Sequence, residues 1–310
     1  MLSRVAENLY WMTRYLERAE NTARLINTTS QMVLDGPRNV PVSWRSLVDI
    51  LGSRPRFDAE GLADDERSVM RFLVDEPAHG GSIQASVRAA RENARTVREL
   101  LPAEVWEGIN ELYFLVRDNA VGQGGRRRRF DFLRRVIGHN QQITGVIEGT
   151  LSRGAPYQFV TIAQHLERAD MTSRILDVRA SQLVDEDEDA LDAWQDAGWM
   201  TVLRSLGAYI MYRQSMNIRI RGSSVVSFLL RDEQFPRSVR YCLQRTARAL
   251  RALPRSDPPL AELARLEQAL EVVAPGALAL GEVHDYIDEL QSGLGQLHRA
   301  VTQTYFPEPP

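Results

Sequence analysis

Lysine is missing from this chain: all 38 basic residues are arginine. That excludes a Schiff base on a protein amine, a catalytic lysine, and the P-loop of the NTPases, whose phosphate grip needs one. A GC-rich genome is the simplest cause; the functional reading is that arginine's planar fork suits carboxylate and phosphate recognition. Cysteine occurs once, at Cys242. This rules out an internal disulfide, a CxxC redox pair, and any zinc or iron–sulfur centre built on several thiolates. Long apolar runs are lacking too, since none approaches the ~18–20 residues of a membrane span. The amino terminus, Met1 to Asn8, is interrupted by charge and offers no secretory apolar region. Cytoplasm is therefore the expected compartment. A net charge of −3 supplies no field that would gather nucleic acid or an anionic membrane surface.

What is present is helical periodicity along almost the whole chain, with little strand alternation. Leu9, Met12, Leu16, Ala19, Ala23 and Ile26 step by three and four and mark one apolar stripe. Asp35-Gly36-Pro37 ends that first helix. Short helices are expected around Trp44–Leu51 and Asp65–Val74. Gly80-Gly81-Ser82 opens a long one to near Leu101, and Pro102 begins the next, to near Asp118. After Gly122-Gln123-Gly124-Gly125, helix resumes near Phe130, and another begins at Gly154-Ala155-Pro156. The run Asp185-Glu186-Asp187-Glu188-Asp189 reads as a solvated connection. Trp199–Arg219, Val225–Leu230, Arg237–Leu253, Leu260–Val273 and Leu278–Thr304 complete the set. The expected fold class is all-α, a multi-helix bundle of about a dozen helices with an internal pseudo-repeat. Residues 1–155 and 156–310 form its two halves, packed as one unit and divided near Pro156 or at the acidic run.

The repeat appears when the chain is laid over itself. Tyr15-Leu16-Glu17-Arg18-Ala19-Glu20-Asn21-Thr22-Ala23-Arg24-Leu25 aligns with His165-Leu166-Glu167-Arg168-Ala169-Asp170-Met171-Thr172-Ser173-Arg174-Ile175 at a constant offset of 150 residues. Leu16, Ala19 and Ala23 share a helix face, as do Leu166, Ala169 and Ser173, and small residues four apart let helix backbones approach. Glu20 reaches Arg24, and Asp170 reaches Arg174, as acid-before-base pairs. Glu17 and Arg18 lie on opposite flanks of the stripe, where stripe packing does not demand them, yet Glu167 and Arg168 repeat both. Two readings stay open. One is structural: the helices meet about a pseudo-twofold axis with reciprocal pairs Glu17–Arg168 and Glu167–Arg18, or each motif forms a local surface ion pair. The other is a ligand-binding acidic–basic centre comprising Glu17, Arg18, Glu20, Arg24, Glu167, Arg168, Asp170 and Arg174.

Other clusters are weaker. Arg88, Arg91, Arg95 and Arg98 recur as a cationic stripe and form a candidate anion-binding site. Glu92 and Glu99, each four residues after an arginine, also allow an internally paired, solvated face. Gly122-Gln123-Gly124-Gly125 before Arg126-Arg127-Arg128-Arg129 reads more simply as a flexible basic loop than as an anion nest or nucleic-acid contact. The histidines 79, 139, 165, 284 and 298 form no metal motif: Glu76-Pro77-Ala78-His79 falls in a loop, and Glu282 and His284 do not share a helix face. No metal or cofactor is expected. Neither GxSxG nor HExxH occurs, and Cys242 lies in an apolar helix as a buried thiol. Trp199, Tyr209, Met211, Tyr212 and Met216 form either core or a partner-facing helix.

The chain resembles the alpha-E family, bacterial helical proteins named for their helices and a Glu-Arg motif. The resemblance is carried by Met1 to Trp11, Arg14 to Asn21, Ala90-Arg91-Glu92-Asn93-Ala94-Arg95 with Trp106, the second Leu-Glu-Arg-Ala copy, and Phe228-Leu229-Leu230 with Phe235-Pro236-Arg237-Ser238-Val239. One departure is His165 where the first copy has Tyr15. The resemblance implies a circularly permuted ATP-grasp-like protein as partner, with a transglutaminase-like protein in the same system. The expected role is a helical accessory protein of a bacterial amide-ligation or peptide-modification system. The alternative is an enzyme that uses the Glu17/Arg18 and Glu167/Arg168 helices to bind and process a carboxylate or phosphate substrate.

Overall fold

The computed structural model describes residues 2–35, 43–119, 125–184, 192–216, 219–272 and 280–307. Among them are fourteen α-helices, one turn of π-helix, one 3₁₀ turn and no strand. The chain falls into two compact units, one of residues 1–30 and 42–164, the other of residues 31–41 and 165–310. The acidic run 185–189 lies outside the described residues.

The first unit holds most of α1 (Ser3–Asp35), then α2 (Arg45–Ile50), α3 (Arg54–Ala59), α4 (Glu66–Met70), α5 (Ile83–Thr96), α6 (Ala103–Asp118), α7 (Arg126–Thr150) and the start of α8 (Ala155–Val184). The stripe of α1 is buried throughout, from Leu9 to Ile26. No glycine or proline interrupts its 33 residues. Helix starts are set by side-chain oxygens that accept otherwise orphaned amides: Asp65 takes the N–H of Ser68, and Ser82 that of Ala85. Helices α5, α6 and α7 pack in succession. At the α6–α7 contact a β-carbon on Gly108 would stand 3.0 Å from Ile143, so glycine permits that approach.

Four details differ from the sequence reading. The stretch expected as one helix over Asp65–Val74 is α4 followed by a π turn, Arg71–Asp75. The helix opened by Ser82 stops at Thr96, and Arg98 lies in the 3₁₀ turn Arg98–Leu100, so the four arginines do not share one continuous helix. Arg126 to Arg129 are not a flexible loop but the first turn of α7, held by Arg126 and Arg129 both pairing with Glu66. That ion pair offsets the cost of placing cations at the positive end of a helix dipole. Finally, Trp199–Arg219 is not one helix. It divides into α9 (Asp192–Ser205) and α10 (Tyr209–Ser215) at Gly207, whose φ of +66° only glycine adopts without strain.

A small aromatic cluster closes one part of the first unit. Phe57 meets Phe72 edge-on at 5.1 Å, and the His79 ring stacks on Phe72 at 4.3 Å. His79 lies in the loop expected for it and is buried, with Nε2 3.3 Å from Ser53 Oγ. Burial, then the positive charge of Arg56, lowers its pKa below 6.5. The ring is therefore neutral when folded, and its protonation opposes folding. The His79 contribution to stability is complete above pH 6.5 and falls as pH drops through 6.5 toward the lower folded value. Urea midpoints measured between about pH 7.5 and about pH 5.5 should decline, with a smaller decline in His79→Gln.

The second unit contains the remainder of α8, α9, α10, α11 (Gly222–Arg231), α12 (Val239–Arg251), α13 (Asp257–Val272) and α14 (Leu280–Tyr305). Its core includes the aromatic cluster: Trp199 and Tyr212 are fully buried, Tyr212 meets Phe228 at 5.6 Å, and Phe228 stacks on Phe235 at 5.3 Å. Met211 instead faces outward. Cys242 is buried. Helices α13 and α14 pack as a hairpin, and Arg231 at the end of α11 donates to the carbonyls of Leu270 and Glu271, terminating α13 with a cation where the helix dipole favours one. At the start of α11, a β-carbon on Gly222 would come within 2.6 Å of the Trp199 indole nitrogen. Gly222→Ala should therefore destabilise by ~1–3 kcal/mol, read as a lower urea midpoint at unchanged slope.

Candidate functional site

The first Leu-Glu-Arg-Ala copy lines a cleft within the first unit. From α1 come Thr13, Leu16, Glu17 and Glu20; from α7 come Asn140, Ile143, Thr144, Ile147 and Glu148; from α8 come Val160 and Gln164. The register follows from helical spacing. Thr13, Glu17 and Glu20 recur by four and three on one face of α1, and Asn140, Thr144 and Glu148 recur by four on α7.

Glu17 and Glu20 are only 3% and 2% exposed, although carboxylates are rarely buried unless held. Gln164 Nε2 donates to Glu17 Oε1 at 2.9 Å, and Arg24 Nε donates to Glu20 Oε1 at 2.7 Å. At the mouth, Glu148 accepts from Tyr157 Oη at 2.9 Å and meets Arg153 at 3.4 Å, while that guanidinium covers the Tyr157 ring. On the floor, Asn140 donates through Nδ2 to the Val136 carbonyl at 2.9 Å. Its Oδ1 is buried and meets no donor among the described residues. A buried oxygen left so costs roughly 1–3 kcal/mol.

The second copy lies in the other unit, where Leu166, Ala169 and Ser173 are buried as Leu16, Ala19 and Ala23 are in theirs. Asp170 accepts from Arg174 Nε at 2.9 Å, matching Glu20 with Arg24. Glu167 is 2% exposed. Arg18 and Arg168 are each half-buried, and Arg18 lies over the Tyr15 ring at 5.6 Å. Thr172 Oγ1 donates to the Arg237 carbonyl at 2.8 Å, and the His165 ring lies 5.9 Å from that of Tyr241. The second motif thus contacts the Phe235–Val239 segment, which sequence spacing alone does not place beside it.

The arginines of α5 are committed locally. Arg88 donates to the Pro77 carbonyl at 3.1 Å instead of pairing with Glu92. Arg91 donates to Asn110 Oδ1 at 2.7 Å and lies over the rings of Tyr113 and Trp106. Arg91 and Arg95 share Glu92. Arg91 thereby joins two of the segments that carried the family resemblance, packing α5 on α6.

One group in the second unit escapes sequence inspection. Asp177 of α8 and His284 and Asp288 of α14 place their polar atoms within 4.8 Å of one another. His284 Nδ1 is 2.5 Å from Asp177 Oδ1, and Nε2 is 3.8 Å from Asp288 Oδ2. The His284–Asp177 hydrogen bond joins α8 to α14, and the three side chains together offer ligand atoms that could hold a metal ion. The i, i+4 spacing of His284 and Asp288 was visible; the 107-residue separation from Asp177 hid the rest.

Residues 1–306 match the Alpha-E family, described as a predicted alpha-helical domain with a conserved ER motif. The chain belongs to the Alpha-E family. Its Glu17-Arg18 and Glu167-Arg168 pairs are instances of that dipeptide. Similar proteins include uncharacterized protein Mb2597 of Mycobacterium bovis and uncharacterized proteins MT2643 and Rv2567 of Mycobacterium tuberculosis, each 24% identical over 272 residues. The match takes in 82% of this chain but only 30% of each relative, so the chain spans less than a third of their length. No solved structure matches. No helix among the described residues is long and apolar enough to cross a membrane.

The Asp177 hydrogen bond raises the His284 pKa above 6.5, with the charges of Asp177, Asp288 and Asp285 adding to it. The charged imidazole is favoured by folding, so its contribution is fully present below pH 6.5 and is lost as pH rises through the raised folded value. A His284→Gln chain should lose that alkaline decline in melting temperature, and the His284 imidazole resonances of the wild-type chain should titrate above 6.5 by NMR.

Proposed function

We propose that this chain acts as a helical accessory subunit of a bacterial ATP-grasp-type amide-ligation or peptide-modification system, with a circularly permuted ATP-grasp-like protein as its partner. The observation that carries this reading is the length of the relatives: the matched region is 30% of a longer polypeptide, as for a module that works attached to, or beside, other domains. The burial of Glu17 and Glu167 supports a motif whose first duty is to organise the helices that present a binding surface. A transglutaminase-like protein is a further proposed member of the system.

The enzyme alternative, in which the Glu-Arg helices bind and process a carboxylate or phosphate, draws less support from the cleft. Among the described residues its lining offers three carboxylates and no arginine.

The test is co-purification of this chain with the neighbouring ATP-grasp-like protein, followed by ATP turnover with and without it. The expected outcome is a stable complex whose turnover depends on both chains. Turnover by this chain alone, lost in Glu17→Gln while the melt is unchanged, would instead establish the enzyme.

A further inference from the structure

Among the described residues, one group of three histidine, cysteine or carboxylate side chains brings its ligand atoms within 4.8 Å of one another: Asp177, His284 and Asp288. All three belong to the second unit, Asp177 on α8 and the other two on α14. Neither carboxylate pairs with an arginine among the described residues; the imidazole is the partner of both. The group is open to solvent, since the side chains of His284 and Asp288 are 42% and 60% exposed and that of Asp177 is 19% exposed. An ion can reach it without displacing a helix.

The two ring nitrogens have different surroundings. Nδ1 is 2.5 Å from Asp177 Oδ1, too close for an ion to sit between them, because two ligands each ~2.0–2.2 Å from one metal stand about 3 Å apart or more. That contact is a hydrogen bond, which keeps a proton on Nδ1 and turns Nε2 toward Asp288. Nε2 and Asp288 Oδ2 are 3.8 Å apart across one turn of α14, a gap that an ion ~2.1 Å from each atom bridges. A ligating histidine whose other nitrogen donates to a carboxylate has its tautomer and ring orientation fixed in advance. Magnesium and calcium prefer shells made wholly of oxygen, whereas an imidazole beside a carboxylate suits zinc and its neighbours among the divalent transition metals. We propose that His284 Nε2 and Asp288 bind a divalent ion of the zinc class, with Asp177 as the positioning residue and water in the remaining places. This goes beyond the histidine spacing, from which no metal is expected, because the orienting carboxylate stands 107 residues away in the chain. It rests on the second unit alone and is independent of the partner role.

The test is calorimetric titration of the full, chelator-treated chain with zinc chloride at about pH 8, where protons compete little for the ligands. One zinc ion should bind per chain, and magnesium and calcium should not replace it. Binding should be abolished in His284→Gln and in Asp288→Asn, the second an exposed position whose exchange leaves the fold intact, and should persist in His139→Gln. Asp177→Asn should weaken it by roughly 10–100-fold, the usual cost of losing a partner behind a ligating histidine. In imidazole NMR spectra, zinc should shift the Nε2 resonance of His284 while Nδ1 keeps its proton, which a purely structural hydrogen bond would not produce. Zinc binding undiminished in Asp288→Asn, equal loss in His139→Gln, equal binding of calcium, or metal on Nδ1 would each overturn the proposal. So would a wild-type chain that takes up no more zinc than His284→Gln.

Discussion

A carboxylate taken out of water must be held by donors in the interior, and α1 buries two of them within one helical turn. Glu17 and Glu20 are both nearly inaccessible, on the same helix as the apolar stripe from Leu9 to Ile26. Hydrophobic burial is non-directional and would let α1 rotate or slide against its neighbours. The Gln164–Glu17 and Arg24–Glu20 hydrogen bonds are directional, and removing one partner would leave a buried charge uncompensated. The first ties α1 to the start of α8 in one register, and the second holds Glu20 within α1.

The same device recurs at smaller scale. Arg91 fastens α5 to α6 through Asn110 and two aromatic faces, Thr172 fastens α8 to the Arg237 carbonyl, and Asp177 fastens α8 to α14 through His284. Each fixes a helix against a neighbouring helix or connecting segment that apolar stripes alone would leave free to slip. With no lysine, two of these contacts, Arg24 with Glu20 and Arg91 with Asn110 and two rings, use guanidinium groups, whose fixed fork and flat face serve hydrogen bonding and ring stacking together.

Much of this was legible beforehand, where it depended on local spacing. The stripe of α1, the Glu20–Arg24 and Asp170–Arg174 pairs, the helix starts at Asp65 and Ser82, and the loop placement of His79 follow from residues within one or two turns. The departures share a cause as well. Arg126 to Arg129 read as a basic loop continuing Gly122-Gln123-Gly124-Gly125, and Glu66, sixty residues earlier, supplies the counter-charge that holds them in a helix. Gly207 inside an apolar pattern left its φ undetermined, and the packing of Trp199 and Tyr212 decided the break. Asn140-Thr144-Glu148 was a readable four-residue ladder, but a polar ladder on a helix ordinarily faces water.

By itself, the chain's order of residues determined the helical class, the duplicated motif, most helix limits and the exclusion of lysine chemistry, of an internal disulfide and of centres built on several thiolates. These depend on composition and on neighbours close along the backbone. Tertiary structure alone decided that both motif glutamates are buried, that Gln164 and Asn140 share a cleft with Glu17, and that Asp177 meets His284. Burial and long-range hydrogen bonds depend on which helix faces pack together, and a repeating 3.6-residue period names a face without naming what covers it.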